Sequence, residues 1–256
     1  MNTIEQTNTS PTNQSVTPKI KEQWGRIVAI VSLVAIALGG FNDTMDAVDK
    51  IYDFSLSQLT DIPSQNKLDK IYIRASSNTL EENFGAPIYI KKSYSGEVIQ
   101  YYRDDRFILS TISKDDAIAA YLVFPSSSFN PETSASSGGD DLLSTPFEHQ
   151  EGVSDIKASV SRSVTYYIEE NSTGEFSNLY SSVAGYTEID DILDDKKRTL
   201  LSSLTDKQIL GDDDISAEVS AIRKNLMPNF YGYSNLGLSS LEEAILTKSE
   251  YALINK

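Results

Sequence analysis

The sequence predicts an α+β fold behind a membrane anchor, and three observations carry that reading. Residues 27–41 form an uncharged, apolar run. Four segments between residues 88 and 124 are rich in Ile, Val, Tyr and Phe and are separated by turn residues, the pattern of an antiparallel meander. Beyond residue 189 the apolar positions recur at spacings of three and four, the period of helices.

The apolar run reads IVAIVSLVAIALGGF, with Ser32 as its only polar side chain. Fifteen residues at ~1.5 Å each cover ~22 Å, less than the ~30 Å hydrocarbon layer of a bilayer. The flanks supply the rest. Trp24 stands where an interfacial aromatic belongs and the Arg26 guanidinium can reach the headgroups, so the predicted anchor runs from Trp24 through Ile27 to Phe41. Lys19, Lys21 and Arg26 precede it, whereas Asp43, Asp46 and Asp49 follow. The positive-inside rule then leaves the amino terminus in the cytoplasm and carries the rest of the chain across the inner membrane. The pair Ala35 and Ala37 offers a signal peptidase an A-x-A site, so cleavage and free secretion is the alternative.

Residues 1–23 are predicted to be a disordered cytoplasmic tail, since their first eighteen positions are almost wholly Thr, Asn, Gln, Ser and Pro. The chain carries 22 basic and 37 acidic residues, a net charge of −15. Removing residues 1–41 leaves 19 against 35, so the acidity lies in the exported part. That charge repels phosphate backbones and excludes nucleic acid as a partner. With no cysteine and one histidine, disulfide frameworks, thiolate nucleophiles and Cys/His zinc sites are excluded as well.

Along the exported part, Met45, Val48, Ile51, Tyr52, Leu56 and Leu59 describe an amphipathic helix bounded by Pro63. A short helix is predicted over 76–83, stopped by Phe84-Gly85-Ala86-Pro87, where Gly85 can take positive φ and Pro87 forbids continuation. Strands follow at 88–92, 98–103, 106–112 and 117–124, separated by Ser95-Gly96, Asp104-Asp105 and Lys114-Asp115-Asp116. Residues 42–124 thus form a helix-plus-sheet module. From 125 to 150 the composition turns to Ser, Gly, Pro, Thr and Asp, which predicts a flexible linker. A hairpin is expected from one strand over 158–169 and a return over 176–183. Helices are expected over 189–204, over 215–226 before Pro228, and from a capping box at Ser240 and Glu243 to about 254. The hairpin and helices of 151–256 are expected to pack on the preceding module.

The stretch Ile73-Arg74-Ala75-Ser76-Ser77-Asn78-Thr79-Leu80-Glu81-Glu82-Asn83-Phe84-Gly85-Ala86-Pro87 resembles the repeat signature of small bacterial envelope modules of the BamE/SmpA and beta-lactamase-inhibitor-like kind. In those modules a Ser-led helix ends in a hydrophobic-Gly-x-Pro turn before a short antiparallel sheet. The resemblance spans Ile71 to Phe124, with Arg74 where the modules commonly carry Gly and with no lipoprotein cysteine. It implies an interaction module rather than an enzyme and transfers no functional residue.

Chemistry-bearing patterns are sparse. His149 has no second histidine to share a metal. Two Ser-x-x-Lys pairs, Ser64 with Lys67 and Ser154 with Lys157, lack the companion motifs of a serine nucleophile. The acidic clusters Asp140-Asp141, Asp190-Asp191, Asp194-Asp195 and Asp212-Asp213-Asp214 have the hard oxygens calcium takes but not EF-hand spacing. No cofactor signature occurs. The aromatic residues Phe230, Tyr231 and Tyr233 crowd the stretch after Pro228 and are the predicted contact residues. The expected function is a single-pass envelope protein whose acidic domain binds another protein or envelope component, with homo-oligomers open to it. The alternatives are an anchored hydrolase using paired carboxylates and a secreted inhibitor-like module.

Protease added outside the cytoplasmic membrane should digest the chain beyond residue 41 and spare the tail. A protected carboxy terminus would refute the orientation, and a mature amino terminus near Leu38 or Gly40 would show cleavage.

Overall fold

The computed structural model describes residues 60–139, 141–173, 176–189 and 192–255. The anchor at Trp24, Arg26, Ile27 and Phe41, the tail and the amphipathic stretch 42–59 lie outside the described residues. Among the described residues no helix is long and apolar enough to cross a membrane.

Residues 60–256 form one compact unit. Helices α1 (Ile62–Leu68) and α2 (Asn78–Phe84) lead into β1 (Tyr89–Lys92), β2 (Val98–Arg103), β3 (Phe107–Lys114) and β4 (Ala117–Pro125). The short helix α3 (Ser134–Ser137) and a 3-10 turn at Phe147–His149 precede β5 (Val153–Val160), β6 (Thr165–Asn171) and β7 (Ser181–Thr187). Helices α4 (Asp195–Leu210) and α5 (Ser216–Asn225), strand β8 (Phe230–Ser234), and helices α6 (Leu238–Glu242) and α7 (Lys248–Ile254) complete the unit. The architecture is α+β.

All eight strands form a single antiparallel sheet in the order β1-β2-β3-β4-β8-β7-β6-β5. The two expected modules are therefore halves of one sheet, joined where β8 pairs with β4 on one side and β7 on the other. One face carries Ile99, Tyr101, Leu122, Phe124, Ile168, Val183 and Phe230 and packs on Leu238, Leu241, Ile245 and Ile254 of the carboxy-terminal segment. Side chains that alternate with these, among them Tyr102, Tyr121, Val123, Tyr231 and Tyr233, meet Leu68 and Leu80 of α1 and α2 and the loop residues Phe129 and Leu142. Further along that second face, Tyr167, Ala184 and Tyr186 meet Leu201 and Leu204 of α4 and Ile222 of α5. Each fully buried Leu, Ile or Phe of these clusters contributes roughly 1.5–3 kcal/mol.

Local chemistry explains the first meander. Gly85 caps α2 with φ 75° and ψ −163° and donates its N–H to Glu81 O, a backbone region open almost only to glycine. Asp115 and Asp116 take φ 51° and 60°, so the β3–β4 connection is a two-residue turn with both central residues left-handed, which Asp tolerates better than most side chains. Arg74 also sits at positive φ, 75°.

Four expectations are corrected. Residues 125–150 are a packed strap rather than a flexible linker, because Phe129, Leu142 and Phe147 are buried and Leu143 packs half-buried beside them. Its polar residues bond inward: the Leu142 N–H reaches the Thr133 hydroxyl, Asp141 accepts the Leu143 and Ser144 N–H groups, and the Gln150 amide donates to Leu142 O and Thr145 O. The expected single strand over 158–169 is two strands, since Ser161 N–H bonds Val164 O and closes a turn between them. The return strand begins only at Ser181, the chain before it turning on Phe176 O. The capping box belongs to α7, where Thr247 and Glu250 cap each other, and α6 begins at Gly237 without a side-chain cap.

The fourth correction concerns the aromatic stretch. Phe230, Tyr231 and Tyr233 are not loop residues: they form β8 at the middle of the sheet, with exposures of 0%, 3% and 3%. Gly232 makes that position accessible, since a Cβ there would stand 2.2 Å from the Tyr121 carbonyl oxygen.

The far edge of the sheet is closed by one side chain. Gln208 of α4 lies along β5, its amide oxygen accepting the Ala158 N–H at 3.0 Å and its amide nitrogen donating to Ile156 O at 3.0 Å. Edge β1 has no strand on its outer side among the described residues, and it is short and ends in Lys91-Lys92, a common protection against unwanted pairing.

Gly232→Ala should cost about 3 kcal/mol, because its methyl meets backbone that cannot turn aside. Gly85→Ala has open space around it and should cost only its backbone strain, about 1 kcal/mol. Tyr231→Ala should cost about 3–5 kcal/mol, in the range of large buried aromatics. Urea denaturation of the three variants checks the order, and wild-type stability in Tyr231→Ala would return that residue to an exposed loop.

Candidate binding groove

Several of the residues singled out by motif make bonds within the fold. Ser64 and Lys67, one helical turn apart on α1, both bond the Asp104 carboxylate in the β2–β3 turn, Lys67 Nζ at 2.6 Å. Burial alone would raise the Asp104 carboxyl, but the hydrogen bonds from Lys67 and Ser64 outweigh it and hold it below its usual value. The ammonium is committed to a carboxylate and cannot relieve Ser64 of its proton, so the pair pins α1 to the sheet. Ser154 donates to Glu170 O across the β5–β6 ladder, without Lys157. His149 is exposed on the 3-10 turn with Glu148 3.7 Å away. Asp212 and Asp214 organise the entry to α5, Asp212 accepting the Asp214 N–H and Lys207 bonding Asp214 O. Among the described residues no three His, Cys, Asp or Glu side chains gather as a metal would need; Asp140, Asp190 and Asp191 lie outside them.

A concave surface appears instead across one end of the sheet, where the β2–β3 turn, the end of β4, the end of β7 and the start of β8 come together. Its central depression, about 270 Å³, has apolar walls from Ile108, Phe124, Ile189 and Tyr251 and polar groups from Arg103, Asp104, Asp105, Arg106 and Asn255. Ile189 and Tyr251 also line a second depression of about 410 Å³ that reaches Glu188, Arg198 and Lys248. On the other side Pro125, Ser126, Ser127 and Asn229 line a third, about 320 Å³, that reaches Asn130, Leu143 and Pro228. The neighbouring depressions share wall residues.

Its floor is braced. The Asn229 side chain accepts the Thr187 N–H at 2.9 Å and donates to Thr187 O at 2.8 Å, extending the β7–β8 pairing by one side-chain rung. Arg103 donates from Nη1 to Ile254 O at 2.9 Å, which ties the carboxy end of α7 to β2 and suits the negative end of a helix. Glu188, with a side chain 4% exposed, is held by Arg198 and by Lys248 at 3.2 Å. Burial would raise its carboxyl, yet the Lys248 bond and the Arg198 charge bring it below its ordinary value.

A second buried carboxylate lies on the sheet's other side. Glu169, 1% exposed, accepts the Tyr167 hydroxyl and has Arg223 Nε 3.0 Å away. Arg223 Nη2 in turn donates to Phe147 O and Gln150 O, fastening the strap to α5. The second Glu169 oxygen has no partner. Here burial wins and raises the carboxyl, with Tyr167 and Arg223 offsetting it only in part.

Sequence reasoning missed the groove because its walls come from residues 103 to 255 and no local stretch carries its pattern. The one visible signal was Arg103 and Arg106 flanking Asp104-Asp105, which has the form of an ordinary turn. Set against known protein families, curated proteins and solved structures, the chain matches none.

The Glu169 carboxyl generates a pH dependence. The folded chain holds its proton more tightly than the unfolded chain, so the stability it contributes is present at acid pH and lost as pH rises through the folded value. Glu169→Gln cannot titrate, and its stability relative to wild type should climb steadily as pH is raised above 4.5, the ordinary value. Urea unfolding across a pH series reads this directly; a difference that stays constant with pH would mean the folded chain holds the proton no more tightly than the unfolded one.

Proposed function

We propose that the chain is a single-pass protein of the bacterial inner membrane, anchored through residues 24–41, whose acidic extracytoplasmic domain binds another protein through the groove at the end of its sheet. The observation that supports this reading is the clustering of three depressions at this end of the sheet, which share Ile189 and Tyr251 on one side and Pro125 to Ser127 with Asn229 on the other. A closed pocket suits a small molecule, whereas several neighbouring shallow depressions suit a protein surface. Mixed apolar walls and spaced polar groups support the same occupant, since extended peptides bury alternate side chains and leave backbone groups to be bonded. The anchor reading rests on the uncharged run 27–41 and the charge asymmetry around it. The buried positions of Phe230, Tyr231 and Tyr233 move the proposed contact surface from β8 to this groove.

Ser127 is exposed on the groove wall, so Ser127→Trp should fill the groove without disturbing the core. Affinity purification of the full chain from detergent-extracted membranes should recover a stoichiometric protein with wild type and about tenfold less with Ser127→Trp, at unchanged melting temperature. Ile209→Trp, on the exposed end of α4, should recover it as wild type does. Equal recovery by all three would place the contact elsewhere.

A further inference from the structure

The Glu169–Arg223 pair is incomplete on both sides. Glu169 Oε1 accepts the Tyr167 hydroxyl and lies 3.0 Å from Arg223 Nε. That nitrogen nevertheless makes no hydrogen bond among the described residues, and neither does Glu169 Oε2. A guanidinium that meets a carboxylate side-on offers its Nε–H and an Nη2–H as two parallel donors. Here the second donor is turned away: Arg223 Nη2 bonds Phe147 O and Gln150 O, at the end of the strap. One guanidinium thus serves two claimants and satisfies only the strap in full.

The surroundings leave the carboxyl no other source of help. The groups that act on its charge are the Tyr167 hydroxyl and the Arg223 guanidinium. Its cross-strand neighbours are Ile156 on β5 and Ala184 on β7, and Tyr186 stands opposite Tyr167. The helices over this face bring Leu201, Leu204 and Ile222. Glu169 is 1% exposed, so its neutral form leaves an ordinary polar atom unpaired, whereas its ionised form would leave a charged oxygen without a donor in low dielectric. Arg223 keeps a side-chain exposure of 22%, which gives its fork room to turn.

We propose that Glu169 and Arg223 form a proton-operated latch on the strap. While Glu169 holds its proton, the guanidinium fastens Phe147 O and Gln150 O. When Glu169 ionises, the guanidinium turns to meet both carboxylate oxygens side-on and releases the two carbonyls. The strap end is then held by its apolar contacts, among them the Phe147 ring edge-on to Tyr167 at 5.1 Å. Raising pH therefore loosens the strap, and lowering it fastens the strap. The latch is independent of any ligand, although the same strap supplies Phe129, Asn130 and Leu143 to the third depression.

Hydrogen exchange of the full chain in lipid nanodiscs, read by mass spectrometry across a pH series, tests this. Rates are expressed as protection factors so that the intrinsic pH dependence of exchange cancels. In wild type, protection over residues 142–150, which include the Leu142 N–H on the Thr133 hydroxyl and the Gln150 N–H on Phe147 O, should fall about tenfold as pH is raised above the ordinary carboxyl value, while β8 keeps its protection. Glu169→Gln should hold the strap protected at every pH. Arg223→Lys, which has no fork to share, should leave it poorly protected at every pH. Tyr167→Phe removes a hydrogen bond that lowers the Glu169 value, so the pH at which the strap loosens should move upward. Wild-type strap protection that is flat with pH overturns the latch, as does the same fall in Glu169→Gln. A fall shared equally by β8 overturns it too, because the domain would then be opening as a whole. An unchanged midpoint in Tyr167→Phe would assign the transition to another group.

Discussion

The constraint on which the rest of the domain depends is the place of β8. Five residues near the end of the chain pair with β4 on one side and β7 on the other, so the sheet is continuous only because this late strand enters its centre. Phe230 faces the cluster under the carboxy-terminal helices, while Tyr231 and Tyr233 face the cluster under α1, α2 and the strap. Gly232 removes the side chain that would otherwise hold β8 away from Tyr121. Without β8, two four- and three-stranded pieces would each present an open apolar edge, and neither face could form a joined core.

Buried charge acts as a set of fasteners around this sheet. Asp104 gathers Ser64 and Lys67 of α1 onto the β2–β3 turn. Glu188 joins the end of β7 to α4 and α7 through Arg198 and Lys248. Glu169 and Arg223 fasten the strap and α5 to β6. Each carboxylate links elements distant in sequence, and each is buried deeply enough that removing its partner would strand a charge in low dielectric. Of the residues singled out by motif, Ser64 and Lys67 take part in these fasteners. Arg103 bonds a carbonyl instead, tying the end of α7 to β2.

How much was legible in the sequence follows from how local each signal is. The meander from β1 to β4 was legible because turn residues and strand residues alternate within a few positions, and Gly85, Asp115 and Asp116 carry backbone preferences of their own. The helices α4 and α5 showed through their periodicity. The β5–β6 turn was not visible because Ser161-Arg162-Ser163-Val164 keeps the two-residue alternation going through the bend. Aromatic β8 looked like a contact loop since its burial is imposed by two neighbours, one of them more than a hundred positions away. The strap looked flexible because composition counts its many serines equally, whereas packing depends on a few residues such as Phe129, Leu142 and Phe147. The groove depended on all of these at once and left almost no trace in any single stretch.

Gln208 has a consequence for the long-term chemistry of the domain. It protects the β5 edge by acting as donor and acceptor together, bonding Ile156 O and the Ala158 N–H. Hydrolysis of that amide to a carboxylate would keep the acceptor but destroy the donor, and would set two oxygen lone-pair groups against each other at Ile156. The strand edge would then be uncovered by a change of one mass unit, with no residue lost and no bond of the main chain broken. Spontaneous ageing of a single side chain can in this way turn a sealed sheet into a template for lateral growth.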